Sequence, residues 1–179
     1  LVNEHIATWV RNNKHISSKL LIDMLKFTGE QVTEYFQSLD PFEQGVPVDW
    51  VGPDPAPKWL DLAREYTERW HHQQHIRDAL GKPGLKASRF LSPILDTFIL
   101  ALPRTFGNVI AKEGTELQIN TTGKVLREWV LTQELGEWKL YEGSVNSPHV
   151  SISLPSDTAW RLFTKGISPD VAKRSANIS

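Results

Sequence analysis

The fold and the chemistry of this chain are decided by one stretch, Ala63-Arg-Glu-Tyr-Thr-Glu-Arg-Trp-His-His-Gln-Gln-His-Ile-Arg-Asp-Ala79. Its apolar residues recur at helical spacing, and we predict a helix from about Pro57 to Leu80, with Gly81 as its stop. Five side chains that can bind a metal or transfer a proton are spaced by three or four residues, so they share one stripe of that helix. This Glu–His stripe consists of Asp61, Glu65, Glu68, His72 and His75.

Within the stripe, Glu68 and His72 stand one helical turn apart, so both side chains can reach one ion. Imidazole together with carboxylate suits Zn, Ni, Fe or Mn. Two ligands are too few for a tight site, and we expect a third from another helix. The alternative is that the stripe is a solvated polar face, which is common on amphipathic helices.

The rest of the N-terminal half also has a helical pattern. We predict helices over Asn3–Lys14 and Ser18–Leu39, the second with Ser17 as its N-cap, and another that begins at Ser92-Pro93. The proline-rich connector 41–58 is predicted to be extended and ordered, because Trp50 within it is a poor residue to leave in water.

After Asn108 the apolar period changes from that of a helix to that of a strand. A helix over Thr158–Lys165 follows the strands. The organisation predicts an α+β protein with domains 1–110 and 111–179 and a junction within 108–114. The predicted strands of an antiparallel sheet are Thr115–Asn120, Val125–Thr132, Trp138–Gly143 and Val150–Leu154.

Composition excludes several classes of function. The 179 residues include 20 Lys plus Arg and 21 Asp plus Glu, and this balance gives no electrostatic case for nucleic acid. No apolar run is long enough to span a membrane. There is no Cys, so disulfides and cysteine nucleophiles are absent, and any thiol chemistry needs a small-molecule thiol. We expect a cytoplasmic protein.

The segment Glu68-Arg-Trp-His-His-Gln-Gln-His-Ile-Arg77 resembles the last ligand-bearing helix of the DinB-like metal-dependent superfamily, in its mycothiol-dependent maleylpyruvate isomerase-like branch. Leu95–Phe98, Ala101–Pro103 and Thr158–Lys165 are similar to that branch as well, so the resemblance covers nearly the full chain. It implies a helical bundle over 1–110, followed by a small sheet-plus-helix module that resembles sterol carrier proteins.

The resemblance implies that Glu68 and His72 bind one divalent metal, with Zn expected, and that they face the bundle interior or a cleft. The first His of the family pattern lies on an earlier helix, which we expect upstream of Leu1. His5 and His15 are the substitutes that this chain offers.

Further residues receive roles beside that metal. His75 and Arg161 are the predicted catalytic residues: His75 because it shares the stripe, and Arg161, like Arg127, as a candidate ligand for an anion. Glu65 is a candidate to orient a ligating imidazole. His71 is interpreted as structural because it lies about 100° from His72 around the helix.

The implied function is a metal-dependent isomerase or S-transferase that uses a low-molecular-weight thiol, mycothiol or similar, as cosubstrate. In the named branch the reaction is cis–trans isomerisation of an unsaturated dicarboxylic keto acid, so the expected partner is a small electrophilic molecule. The alternative is a non-catalytic metal-binding or stress-associated protein whose C-terminal module binds an apolar ligand or a partner. The substrate, the thiol and the oligomeric state stay open.

Overall fold

The computed structural model describes residues 2–179, and the side chains from Glu4 onward. The chain forms two units, which we call the N-terminal unit and the sheet unit, and they meet in sequence at Asp40 and Pro41. None of the helices in residues 2–179 is long and apolar enough to cross a bilayer.

Two helices form the N-terminal unit, α1 (Val2–Asn12) and α2 (Ser18–Ser38). Ser17 is the N-cap of α2, and its side chain accepts a hydrogen bond from the backbone N–H of Leu20 at 3.2 Å. Both predicted helices and the predicted cap are confirmed. Helix α2 has no buried residue: several of its large apolar side chains are exposed, and Leu21, Val32 and Phe36 are partly buried.

The sheet unit begins with the proline-rich segment, which is ordered as predicted. Strands β1 (Gln44–Pro47) and β2 (Pro55–Pro57) pair antiparallel, and Trp50 between them lies 6.5 Å from the ring of Phe98. Helix α3 (Lys58–Ala79) follows, and Gly81 adopts φ +61° directly after its end. This geometry favours glycine, and the predicted helix and stop are confirmed.

Helix α4 (Ser88–Ile99) begins four residues before the predicted start at Ser92 and contains Pro93. The proline removes one helical hydrogen bond. The earlier start places Leu91 in the core at 1% exposure, and burying a leucine contributes about 1.5–3 kcal/mol. This burial explains why the helix extends past the proline toward its N-terminus. A short helix, α5 (Leu102–Thr105), comes next.

Five strands form the main sheet in the order β5-β4-β3-β6-β7. Neighbouring strands are antiparallel except for β3 and β6, which run parallel, so the prediction of an antiparallel sheet is wrong at this pair. The strands and the helices that follow β6 are β3 (Glu116–Thr122), β4 (Arg127–Glu134), β5 (Glu137–Glu142), β6 (Val150–Pro155), α6 (Ser156–Phe163), α7 (Pro169–Lys173) and β7 (Asn177–Ile178).

The parallel pair arises from the segment 143–149, which returns the chain to the starting end of β3. The side chain of Gln118 fixes this return: its Oε1 accepts from the N–H of Val145 at 3.0 Å, and its Nε2 donates to the carbonyl of Gly143 at 3.2 Å. The N–H of His149 then donates to the carbonyl of Glu116 at 2.9 Å, which brings β6 beside β3.

One hydrophobic core joins the helices of the sheet unit to the sheet. It contains Trp70 from α3, Leu95 from α4, Leu131 from β4 and Trp160 from α6, each at most 4% exposed. The mixed α+β class is confirmed. The compact units do not follow the predicted division into 1–110 and 111–179, because α3 and α4 share this core with the sheet.

The turn between β4 and β5 gives a local test of the fold. Leu135 and Gly136 adopt φ +52° and +84°, a conformation that fits tight hairpins and is strained for residues with a side chain. We expect Gly136→Ala to lower the free energy of unfolding by about 1–2 kcal/mol in urea titrations. Gly52→Ala is the control, because an added methyl there meets no atom of the described residues within 4 Å and the φ is not positive. An equal loss of unfolding free energy in the two variants would contradict the conclusion that the turn needs glycine at position 136.

Candidate metal centre

The rotation of α3 about its axis is set by the side chains that it buries. Leu60, Thr67, Trp70 and Gln74 face the core. The indole N–H of Trp70 donates to the carbonyl of Leu85 at 2.9 Å, and Gln74 Oε1 accepts from the N–H of Leu85 at 3.1 Å. The loop after α3 therefore holds the Trp70 face of the helix inward, and the Glu–His stripe lies on another face.

Glu68 and His72 approach each other as their spacing predicts. The Oε2 atom of Glu68 lies 3.5 Å from the Nε2 atom of His72. Two ligands at about 2.1 Å from one ion lie roughly 3–4 Å apart, so this separation fits a shared divalent cation. Both side chains are exposed, at 67% and 71%, so the expectation that they face an interior or a cleft is wrong for the structure described.

A third ligand is not supplied by the residues that the structure describes. Within them, no group of three or more His, Cys, Asp or Glu side chains is arranged to hold a metal ion. His5 and His15 are exposed side chains of the N-terminal unit. The third ligand stays a prediction.

His71 and His75 form a second contact beside this pair. Their ring centroids lie 4.1 Å apart, and His71 also faces the indole of Trp160 at 6.3 Å. Burial lowers the pKa of His71, and the nearby His75 and His72 lower it further. His71 is therefore a neutral imidazole near pH 7. Its buried Nε2 atom has no hydrogen-bond partner among the described residues. A residue with a purely structural role would be expected to have one, so the structural interpretation of His71 is supported only by its burial.

His75 is exposed, and its ring centroid lies 6.1 Å from that of His72. It therefore stands beside the proposed ligand as its place on the stripe predicts. Glu65 does not orient His72, because its Oε1 accepts from the Nε–H of Arg69 at 2.7 Å. The catalytic role of His75 stays a prediction.

Arg161 is held by two carboxylates. Its Nη2 lies 3.1 Å from Asp78 at the end of α3, and its Nε lies 3.3 Å from Asp157. The guanidinium also lies over the ring of Trp160, 4.3 Å from its centroid. Sequence reasoning did not anticipate these partners, because Asp78 lies far from Arg161 in the chain. The two carboxylates neutralise the positive charge of the Arg161 guanidinium, which an anionic substrate would otherwise meet. The catalytic role of Arg161 stays a prediction.

Asp157 makes the stability of the sheet unit sensitive to acid. Burial alone raises the pKa of this carboxyl, but hydrogen bonds from Lys86, Trp160 and Arg161 outweigh it, and the net pKa is lowered. A lowered pKa means stability that is present above the unfolded-state pKa of about 3.9 and is lost as the pH falls through the folded-state value.

We expect Asp157→Asn to destabilise the chain more at about pH 6 than at about pH 3, since the stabilisation that the lowered pKa represents shrinks as the pH falls below the unfolded-state value. Urea titrations at both pH values measure the difference. Asp54→Asn is the matched control, because the described residues supply no ion-pair partner for this exposed carboxylate. A destabilisation by Asp157→Asn that is the same at both pH values would contradict the prediction.

Comparison with known proteins assigns no family. No protein-family model matches the chain, and no curated protein matches it in sequence. Three solved structures from Aedes aegypti show a distant likeness. The crystal structure of sterol carrier protein 2-like 2 is 14% identical at a TM-score of 0.39, and covers 50% of this chain and 87% of its own.

The other two structures give similar values. The solution structure of palmitated sterol carrier protein 2-like 2 is 18% identical at a TM-score of 0.37, and covers 46% of this chain and 79% of its own. The crystal structure of sterol carrier protein 2-like 3 is 19% identical at a TM-score of 0.32, and covers 47% and 83%. Similarity at this level assigns neither a family nor a ligand to the chain.

Proposed function

We propose that this chain is a metal-dependent isomerase or S-transferase that uses a low-molecular-weight thiol, with Glu68 and His72 as metal ligands. The observation that supports the proposal is the 3.5 Å approach of a carboxylate oxygen and an imidazole nitrogen across one helical turn. Glu68 would contribute a negative oxygen ligand and His72 a neutral nitrogen ligand, a combination that suits Zn.

The exposure of the pair bears on how a substrate would enter. Because both side chains face solvent, the site has open directions through which a thiol and an electrophile can approach. A bound divalent cation supplies positive charge that keeps a nearby thiol deprotonated close to neutral pH. The thiol has to come from solution, since the chain has no Cys. It would add to a double bond, allow rotation, and leave again.

His75 and Arg161 complete the proposal with their own roles. His75 stands beside His72 and would hold or move a proton on the substrate. Arg161 would act on a substrate carboxylate only by exchanging it for Asp78 or Asp157, its present partners. Arg161 would therefore bind an anion more weakly than an unpaired arginine would.

The test is metal content and turnover of the chain loaded with Zn²⁺. We expect bound Zn by elemental analysis, and isomerisation of an unsaturated keto acid that requires both the metal and an added thiol. Activity that survives exhaustive chelation, or that needs no thiol, would reject this mechanism.

The alternative is a non-catalytic metal-binding protein, and the exposure of Glu68 and His72 favours it. Because Glu68 and His72 are exposed, few protein groups surround them that could hold a substrate in one orientation. Catalysis depends on that orientation. Zn that is retained without thiol-dependent turnover would support this alternative over the enzyme.

A further inference from the structure

A cleft of about 450 Å³ lies within the sheet unit, between helix α4 and the part of the sheet where β4 begins and β5 ends. This volume is in the range of small-molecule sites. Its lining combines aromatic and aliphatic walls with three charged side chains at one end. The apolar walls include Trp59, Ile99, Trp129 and Leu140, and the charged residues are Asp96, Arg127 and Glu142.

Two of the charged residues, Arg127 and Glu142, interrupt the apolar inner face of the sheet. Residues that pair across β4 and β5 share a face, and Trp129, which is buried, pairs with Glu142. Arg127 lies two residues before Trp129 and so shares that face, as Leu140 does with Glu142. Charged residues at positions where a strand normally carries apolar ones are expected at binding sites. A charge beside a hydrophobic core is costly unless an ion pair or a bound ligand compensates it.

The arginine in the cleft is already neutralised. Its Nε and Nη2 atoms donate to the two oxygens of Asp96, each at 2.8 Å, and Nη2 also donates to Glu142 Oε1 at 2.9 Å. Two carboxylates against one guanidinium leave one net negative charge. The second oxygen of Glu142 accepts no hydrogen bond from the described residues, and this side chain is 70% exposed.

We infer that this cleft binds a small organic ammonium ion with an apolar body. The ammonium would pair with the exposed Glu142 carboxylate, and the ring of Trp59, which also lines the cleft, offers an aromatic face that attracts cations. The apolar body would lie against Ile99 and Leu140. An anion is disfavoured, because the guanidinium of Arg127 is already shared by two carboxylates. This inference is independent of the metal proposed on α3.

Three probes of matched size test the charge preference by calorimetric titration of the full chain. They are 2-phenylethylammonium, 2-phenylethanol and 3-phenylpropionate. We expect the ammonium to bind, the alcohol to bind several-fold more weakly, and the carboxylate not to bind. Added salt should weaken the ammonium more than the alcohol. Equal binding of all three, preference for the carboxylate, or no binding of the ammonium at millimolar concentration would overturn the inference.

Two isosteric variants locate the binding charge. Glu142→Gln should weaken ammonium binding by roughly threefold and leave alcohol binding unchanged, since an exposed charge contributes modestly. Glu137→Gln is the matched control: it lies on the same strand, is exposed, and lies on the opposite face five residues away. A chain in which Glu142 serves only to hold Arg127 would lose thermal stability in Glu142→Gln with unchanged ammonium affinity, and that result would overturn the inference.

Discussion

Trp160→Ala should lower the free energy of unfolding by about 3–5 kcal/mol, the range for removing a large buried side chain. Trp160 is 1% exposed and meets Trp70 edge to face at 5.1 Å, so it joins α6 to α3 through the core. Its indole N–H also donates to Asp157 Oδ1 at 2.9 Å. The alanine variant loses this hydrogen bond and leaves a cavity against Trp70.

Urea titrations of the wild type, Trp160→Ala, Trp160→Phe and Trp59→Ala measure this effect. Trp160→Phe keeps an aromatic ring and should recover part of the loss. Trp59 is 39% exposed, so its alanine variant should lose much less stability than Trp160→Ala. A loss in Trp160→Ala no larger than in Trp59→Ala would contradict the prediction.

The local elements of this fold were predictable because local chemistry determines them. Ser17 caps α2 through its own side chain, and Gly81 ends α3 in a conformation that glycine tolerates. The turn at Leu135 and Gly136 joins neighbouring strands, and the positive φ that it needs at Gly136 is one that glycine tolerates. None of these features depends on a distant part of the chain.

The parallel pairing of β3 with β6 was not predictable from such signals. It depends on Gln118, whose side chain reaches the backbone of Gly143 and Val145, more than twenty residues later. A buried glutamine in a strand is a detectable anomaly, but the sequence does not say which loop it binds. The start of α4 was missed for a related reason, since the burial of Leu91 outweighs the proline signal.

The candidate site was predictable in its spacing and not in its orientation. A helix places Glu68 and His72 side by side one turn apart whatever surrounds it, and in the structure their side-chain atoms lie 3.5 Å apart. The direction in which the pair points depends instead on the hydrogen bonds of Trp70 and Gln74 to the loop at Leu85. The partners of Arg161 were unpredictable in the same way, because Asp78 becomes its neighbour only through packing.

Glu68→Ala and His72→Ala should each lower Zn²⁺ affinity more than about tenfold, since loss even of a residue that supports a ligand costs 10–100-fold. Glu68→Ala removes a negative oxygen ligand, and His72→Ala removes a nitrogen ligand. Competition with a zinc-sensitive dye measures both affinities. Glu65→Ala is the matched control, because it removes the same charge from the same helix where the carboxylate is paired with Arg69.

The same titrations over a range of pH separate ligation from general attraction. Protons compete with a metal for imidazole, whose ordinary titration lies between about pH 5 and 8, so wild-type affinity should fall as the solution is acidified through that range. The His72→Ala variant has lost that nitrogen, and its weaker binding should depend less on pH. A carboxylate that merely attracts cations would give Glu65→Ala and Glu68→Ala the same loss, with a pH profile that His72→Ala leaves unchanged. That result would remove Glu68 and His72 as ligands, and with them the basis for a thiol-dependent reaction at α3.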